Sequence, residues 1–110
     1  MRVLLDECVP KRLRQELPGH TVQTVVEMGW SGVKNGAPLR LATADFDCFL
    51  TVDRNLQFQQ NVVGLKIGVV VLHAQGNELS SLRPLMPKVR SVLDQLTPGQ
   101  VVNVCLYLRA

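Results

Sequence analysis

The chain lacks the signatures of several large protein classes. Its cysteines, Cys8, Cys48 and Cys105, are three in number, far apart, and form no Cys-x-x-Cys pair. That argues against both a structural zinc knuckle and a disulfide framework. All three read instead as buried thiols behaving as small hydrophobes in a reducing compartment. The longest apolar run, Ile67 to Leu72, is far shorter than the ~20 residues that cross a bilayer. No signal-peptide pattern opens the chain: apolar residues begin at Val3 and acid interrupts them at Asp6. There is no Gly-x-Ser-x-Gly nucleophile elbow, no phosphate-binding glycine loop and no dinucleotide fingerprint. Internal repeats, linkers and low-complexity segments are missing too. The expectation is one cytoplasmic domain over residues 1–110 with no membrane contact.

What is present is an ordinary globular balance. Of 110 residues, 46% are hydrophobic and 19% charged, which excludes a disordered chain. The formal net charge of +3 is compatible with a nucleic-acid partner without demanding one.

The pattern of apolar runs predicts alternating strands and helices. Arg2 to Leu5 reads as a strand ending abruptly in Asp6 and Glu7. Val9, Leu13 and Leu17 lie one helical turn apart behind Pro10, and Pro18-Gly19 stops that helix. His20 to Val25 alternates and is rich in β-branched residues, so it reads as a second strand. Met28 to Gly36 carries three glycines and reads as a loop, and Ala37 to Ala44 as a short helix. Cys48 to Val52 is a third strand, again ended by an acid, Asp53. Ile67 to Leu72 is apolar on both faces, as in a central parallel strand. Glu78 to Leu96 reads as a helix bent at Pro84 and Pro87. Thr97-Pro-Gly99 is a turn, and Val101 to Leu108 a last strand, suited to a sheet edge. The βαβαβαβαβ order predicts an α/β fold: a mostly parallel five-stranded sheet with helices on both faces.

In such a sheet the loops leaving the C-terminal strand ends share one edge, and ligands bind there. Asp6 and Asp53 each follow an apolar strand directly, so they are expected on that edge with Glu7 beside them. Clustered carboxylates repel one another unless a cation joins them, and hard oxygen ligands suit Mg²⁺ or Mn²⁺. A strand-terminal Asp taken singly can equally be a turn former or helix cap. Asp45 and Asp47 precede the third strand and belong to the far edge, about 20 Å away along six residues, which suits a solvated turn. His73 follows the fourth strand; it reads either as a ligand or as a hydrogen-bonded strand-end residue. Arg54 can grip a phosphate. Asn55, Gln59, Gln60 and Asn61 can hydrogen-bond bases or backbone, and Phe58 can stack. The bland reading of that run is a polar surface helix with Leu56 and Phe58 inward. Lys34 reads as a phosphate contact or a solvated cation, and Trp30 as a core or interface anchor.

Three segments carry a family resemblance: Val3-Leu-Leu-Asp-Glu-Cys-Val-Pro10, Gly29-Trp-Ser-Gly-Val-Lys-Asn-Gly36 and Leu50-Thr-Val-Asp-Arg-Asn-Leu56. Together they resemble a bacterial family of short PIN-like proteins, long of unknown function and related to the VapC-type toxin ribonucleases. The resemblance implies a PIN-like three-layer sandwich whose edge acids bind Mg²⁺ or Mn²⁺ and cut RNA. It also implies a toxin role, with a small antitoxin protein as partner. Asp6, Glu7 and Asp53 would then be the catalytic and metal-binding acids. Many relatives place a further acid where this chain has Asn35, which can coordinate through its carbonyl but brings no charge. Lys34, Arg54, Asn55, Gln59 and Asn61 would contact substrate. Against this enzyme stand two other readings: a catalytically impaired module that binds RNA or a partner protein, and an interaction domain that dimerises through the last strand.

Overall fold

The computed structural model describes residues 1–30, 44–52, 66–76 and 78–105. Five strands run through them: β1 (Arg2–Leu5), β2 (Thr21–Thr24), β3 (Cys48–Thr51), β4 (Gly68–His73) and β5 (Val101–Cys105). They form one sheet in the order β2-β1-β3-β4-β5. Every pairing is parallel. The chain therefore has an α/β fold, as the alternation of apolar runs predicts, and β5 is an edge strand.

Period-two alternation along the strands sorts their side chains into two cores. Val3 and Leu5 of β1, Cys48 and Leu50 of β3, Val70 and Leu72 of β4 and Val104 of β5 belong to one. Leu4, Phe49, Val69 and Val71 belong to the other. The central strands are buried on both sides, which is why they read as unbroken apolar runs.

The described helices cover the first face. They are a 3-10 helix, η1 (Lys11–Glu16), then α1 (Leu79–Leu82), a 3-10 turn, η2 (Arg83–Leu85), and α2 (Met86–Leu93). Leu13, Leu82, Leu85, Met86, Val89 and Leu93 point from them into that core. On the second face Val25, Phe46 and Ile67 join the core, with Met28 and Trp30 packed against it. Trp30 meets the Phe46 ring edge-on at 6.3 Å, the anchor role expected of it. The expected helix over 37–44 falls almost wholly outside the described residues. No described helix is long and apolar enough to cross a membrane.

Two helical expectations need correcting. The segment carrying Val9, Leu13 and Leu17 buries all three as their spacing predicts, but as a 3-10 helix, not an α-helix. Pro18 disfavours α-helical backbone at Leu17, which adopts φ −122° and ψ 60°, so the run between Pro10 and Pro18 closes in tighter turns. The stretch 78–96 is three pieces, not one helix. Pro84 and Pro87 each sit at the first or second position of a new piece, where a missing N–H costs nothing.

Glycines do the work expected at the stops. Gly19 follows Pro18 at φ 84°, and Gly99 closes the Thr97-Pro-Gly99 turn at φ 80°, conformations that other residues adopt only at a cost. Gly68, which opens β4, serves differently. A Cβ there would lie 2.5 Å from Cγ of Leu96, so the absence of a side chain lets Leu96 close down on the strand.

Candidate active site at the β1–β3 edge

The strand order places the site. Connections leave β1 toward β2 on one side, while β3, β4 and β5 extend the sheet on the other. The order thus reverses between β1 and β3. In open parallel sheets the crevice beyond the C-terminal strand ends at such a reversal is where ligands bind.

Asp6 stands at that point. Leu5 pairs with Leu50 in register, so Asp6 comes opposite Thr51, the last residue of β3. The Asp6 backbone N–H donates to the Leu50 carbonyl at 3.0 Å, which extends the ladder by one bond and fixes the residue. Its carboxylate is equally fixed. The Thr51 hydroxyl donates to Oδ2 at 2.6 Å, and the Cys8 thiol lies 3.5 Å from the same oxygen. The Glu7 backbone N–H donates to Oδ1 at 2.8 Å. The Asp6 carbonyl also accepts from Val9 N–H, tightening the turn into η1.

Thr51 is fully buried, and its hydroxyl also lies 3.9 Å from the Cys8 sulfur. Asp6, Cys8 and Thr51 thus form one hydrogen-bonded cluster. In the sequence Cys8 reads only as a buried thiol and Thr51 only as a strand residue; it is the register of β1 against β3 that brings Thr51 to both Asp6 and Cys8.

The cluster's fit to a divalent cation follows from its acceptor capacity. A carboxylate offers about four lone-pair positions. The protein's own donors occupy three on Asp6, which orients the group and leaves one position on Oδ1. Oxygen donors held by hydrogen bonds of this kind suit Mg²⁺ or Mn²⁺. Among the described residues no group of three or more His, Cys, Asp or Glu side chains converges as a metal site. Glu7 adjoins Asp6 and is exposed. The remaining expected site residues, Asp53, Asn35, Lys34, Arg54, Asn55, Gln59 and Asn61, lie outside the described residues, as do Phe58 and Gln60.

The other expected candidates resolve into structural roles. His73 ends β4 at the same edge, but its Nε2 pairs with Oδ1 of Asn103 on β5 at 2.7 Å, the strand-end hydrogen bond anticipated for it. Asp47 lies at the opposite edge, where Oδ2 accepts from the Arg2 backbone N–H at 2.8 Å and ties the start of β1 to the turn before β3.

All three cysteines are free thiols, but only Cys48 is fully buried; Cys8 and Cys105 are half-buried. Burial pushes the Cys8 thiol pKa up and the nearby Asp6 charge adds to this, against a lowering hydrogen bond from the Val52 backbone. Burial raises Cys48 much further. A folded-state pKa above the unfolded value of about 9 makes the neutral thiol a stabilising feature below that pH, lost as pH rises through the folded value. The unfolding free energy should therefore fall on going from about pH 8 to about pH 10.5, by up to ~1.4 kcal/mol per pH unit for the fully buried Cys48. Urea denaturation of wild type beside Cys48→Ala checks this. The variant should show a shallower decline, and parallel profiles would contradict the assignment.

Comparison with protein-family models, with curated proteins and with solved structures gives no match for the chain.

Proposed function

We propose that the chain is a metal-dependent ribonuclease of toxin type with a PIN-like architecture, acting in the cytoplasm and held in check by a small antitoxin protein. One observation carries the reading most: the Asp6 carboxylate is anchored at the strand-order reversal by a buried hydroxyl, with one acceptor position left. The resemblance of the three sequence segments to PIN-like proteins supports it, as does the mildly basic net charge.

In this reading Asp6, Glu7 and Asp53 hold Mg²⁺ or Mn²⁺, and the Asn35 carbonyl supplements them. The metal supplies Lewis-acid polarisation of a phosphoryl oxygen and lowers the pKa of a bound water. The protein's share is orientation. Thr51 and the Glu7 backbone N–H fix the Asp6 carboxylate, so little reorganisation is needed when charge develops. Lys34 and Arg54 grip the phosphates that flank the cut. Asn55, Gln59 and Asn61 hold bases or backbone.

Calorimetric titration with Mn²⁺ at neutral pH, alongside cleavage of a single-stranded RNA, tests the proposal. Asp6→Asn should weaken Mn²⁺ binding by about 100-fold or more, beyond the 10–100-fold typical for an outer-shell partner, and abolish cleavage. Asp53→Asn should do the same. Wild-type Mn²⁺ affinity in Asp6→Asn would overturn the assignment.

A second reading has its own support. Three of the four acceptor positions on Asp6 are already filled by the protein, and Asn35 brings no charge. Both fit a module that binds RNA or a partner protein without cutting. RNA binding that survives EDTA with no cleavage in Mn²⁺ would select it.

A further inference from the structure

The cations of this protein are unevenly placed. Along η1 the outward residues include Lys11, Arg12 and Arg14, and the helix carries one acid, Glu16. From Arg83 to Leu93, spanning η2 and α2, there is no acid at all. The two segments meet at Glu16. Its carboxylate lies 3.5 Å from Nε of Arg83 and 3.9 Å from a terminal nitrogen of Arg90, which also donates to the Glu16 carbonyl at 2.8 Å. One carboxylate thus faces two guanidiniums. Arg14 pairs with Glu27 beyond β2. Lys11 and Arg12 are exposed, with no salt bridge among the described residues. With Lys88 on α2 and Asp94 at its C-terminal cap included, six cations stand against three carboxylates on this layer.

The side of this layer that carries Lys11, Arg12, Arg83 and Arg90 presents no large exposed apolar side chain; the apolar groove of α2, lined by Pro87 and Val92, opens instead toward Val102 and Val104 of β5. Leu13, Met86, Val89 and Leu93 all turn into the core. The only exposed large hydrophobic side chains among the described residues are Met1 and Val26, neither of them on these helices. A protein partner normally needs a desolvated apolar or aromatic centre, and an interfacial membrane contact needs buried apolar side chains. A polyanion needs neither, because release of its condensed counterions supplies the free energy.

We propose that the outer surface of η1, η2 and α2 is a docking face for a nucleic-acid phosphate backbone, on the helical layer and not at the sheet edge that holds Asp6. Arginine forks at Arg83 and Arg90 match phosphate geometry, and Lys11 and Arg12 extend the track as point charges. Contacts of this kind position a strand without reading its sequence. The face requires no metal, so it stands or falls separately from the ribonuclease reading.

The test is a salt titration of single-stranded RNA binding by fluorescence anisotropy in EDTA. With about five phosphates engaged, the slope of log K against log salt should be roughly −3.5, an affinity loss of roughly 100-fold between 50 and 200 mM salt. The triple variant Lys11→Gln/Arg12→Gln/Arg83→Gln should flatten the slope by about 2, and the double variant Lys11→Gln/Arg12→Gln by about 1.4. Arg90 is kept because its bond to the Glu16 carbonyl ties α2 to η1. No binding at low salt, or an unchanged slope in both variants, would overturn the proposal. Equal affinity for poly-glutamate of matched charge would overturn it in favour of an acidic protein partner.

Discussion

Phe49→Ala is expected to lower the unfolding free energy by about 3–5 kcal/mol. Phe49 is 1% exposed and heads the largest fully buried side chains. It sits mid-strand on β3, between Leu4 of β1 and Val69 of β4. Truncation loses the transfer free energy of the ring and leaves a cavity that its neighbours on the two flanking strands cannot fill, because their backbones are fixed by ladder bonds. Domains of this size have total stabilities of about 5–15 kcal/mol, so the loss is a large share of the whole. Urea denaturation measures it through the midpoint at constant slope. Phe49→Leu, which keeps most of the volume, should cost much less, below about 1.5 kcal/mol if the core repacks. A cost under about 1 kcal/mol for the alanine variant would mean that the second core is not closed as described.

Thr51→Val should separate the site from the scaffold. Valine keeps the β-branched shape and strand preference but removes the hydroxyl that donates to Asp6. The expected result is a fall in Mn²⁺ affinity of about 10–100-fold, with Thr51→Ser restoring most of it. Stability should drop by about 1–3 kcal/mol in the valine variant, since a charged acceptor loses its donor in a half-buried place. Calorimetry and denaturation on the same samples read the two effects apart. Lost stability with unchanged Mn²⁺ affinity would make Thr51 a purely structural residue and detach it from the proposed chemistry.

Much of the fold was legible because parallel strands buried on both faces leave a simple trace. Ile67 to Leu72 contains no polar residue, and Leu4-Leu5 and Phe49-Leu50 are apolar pairs that serve opposite cores. The stops were legible for local reasons: Pro18-Gly19, Pro98-Gly99 and the two prolines of the last helical stretch act through backbone geometry alone. What misled was turn type. The spacing of Val9, Leu13 and Leu17 reports which side faces inward, but a six-residue segment hemmed by prolines satisfies that spacing with tighter turns as well.

The site was legible in half. Asp6 could be found because an acid directly after an apolar run is chemically out of place. Thr51 could not, because threonine inside a strand already has an explanation as a β-branched strand former. Only the register, Leu5 opposite Leu50, turns it into the partner of Asp6. Cys8 was hidden for a similar reason, since a thiol beside apolar residues reads as core. Asp53, the other acid found by the same rule as Asp6, lies outside the described residues.

The position of β1 bears on how the protein is made. Its two neighbours are β2, which begins at Thr21, and β3, which begins at Cys48. As the chain leaves the ribosome, β1 can join β2 early, but its other edge stays open until some 40 more residues have been added. At ~5–20 residues per second that interval is roughly 2–8 s. Throughout it the bare backbone of Val3, Leu4 and Leu5 is a template for any passing extended segment. Nascent chains on one polysome would therefore be most exposed to mispairing in this window, and a chaperone that binds short apolar stretches would find its best target in Val3, Leu4 and Leu5.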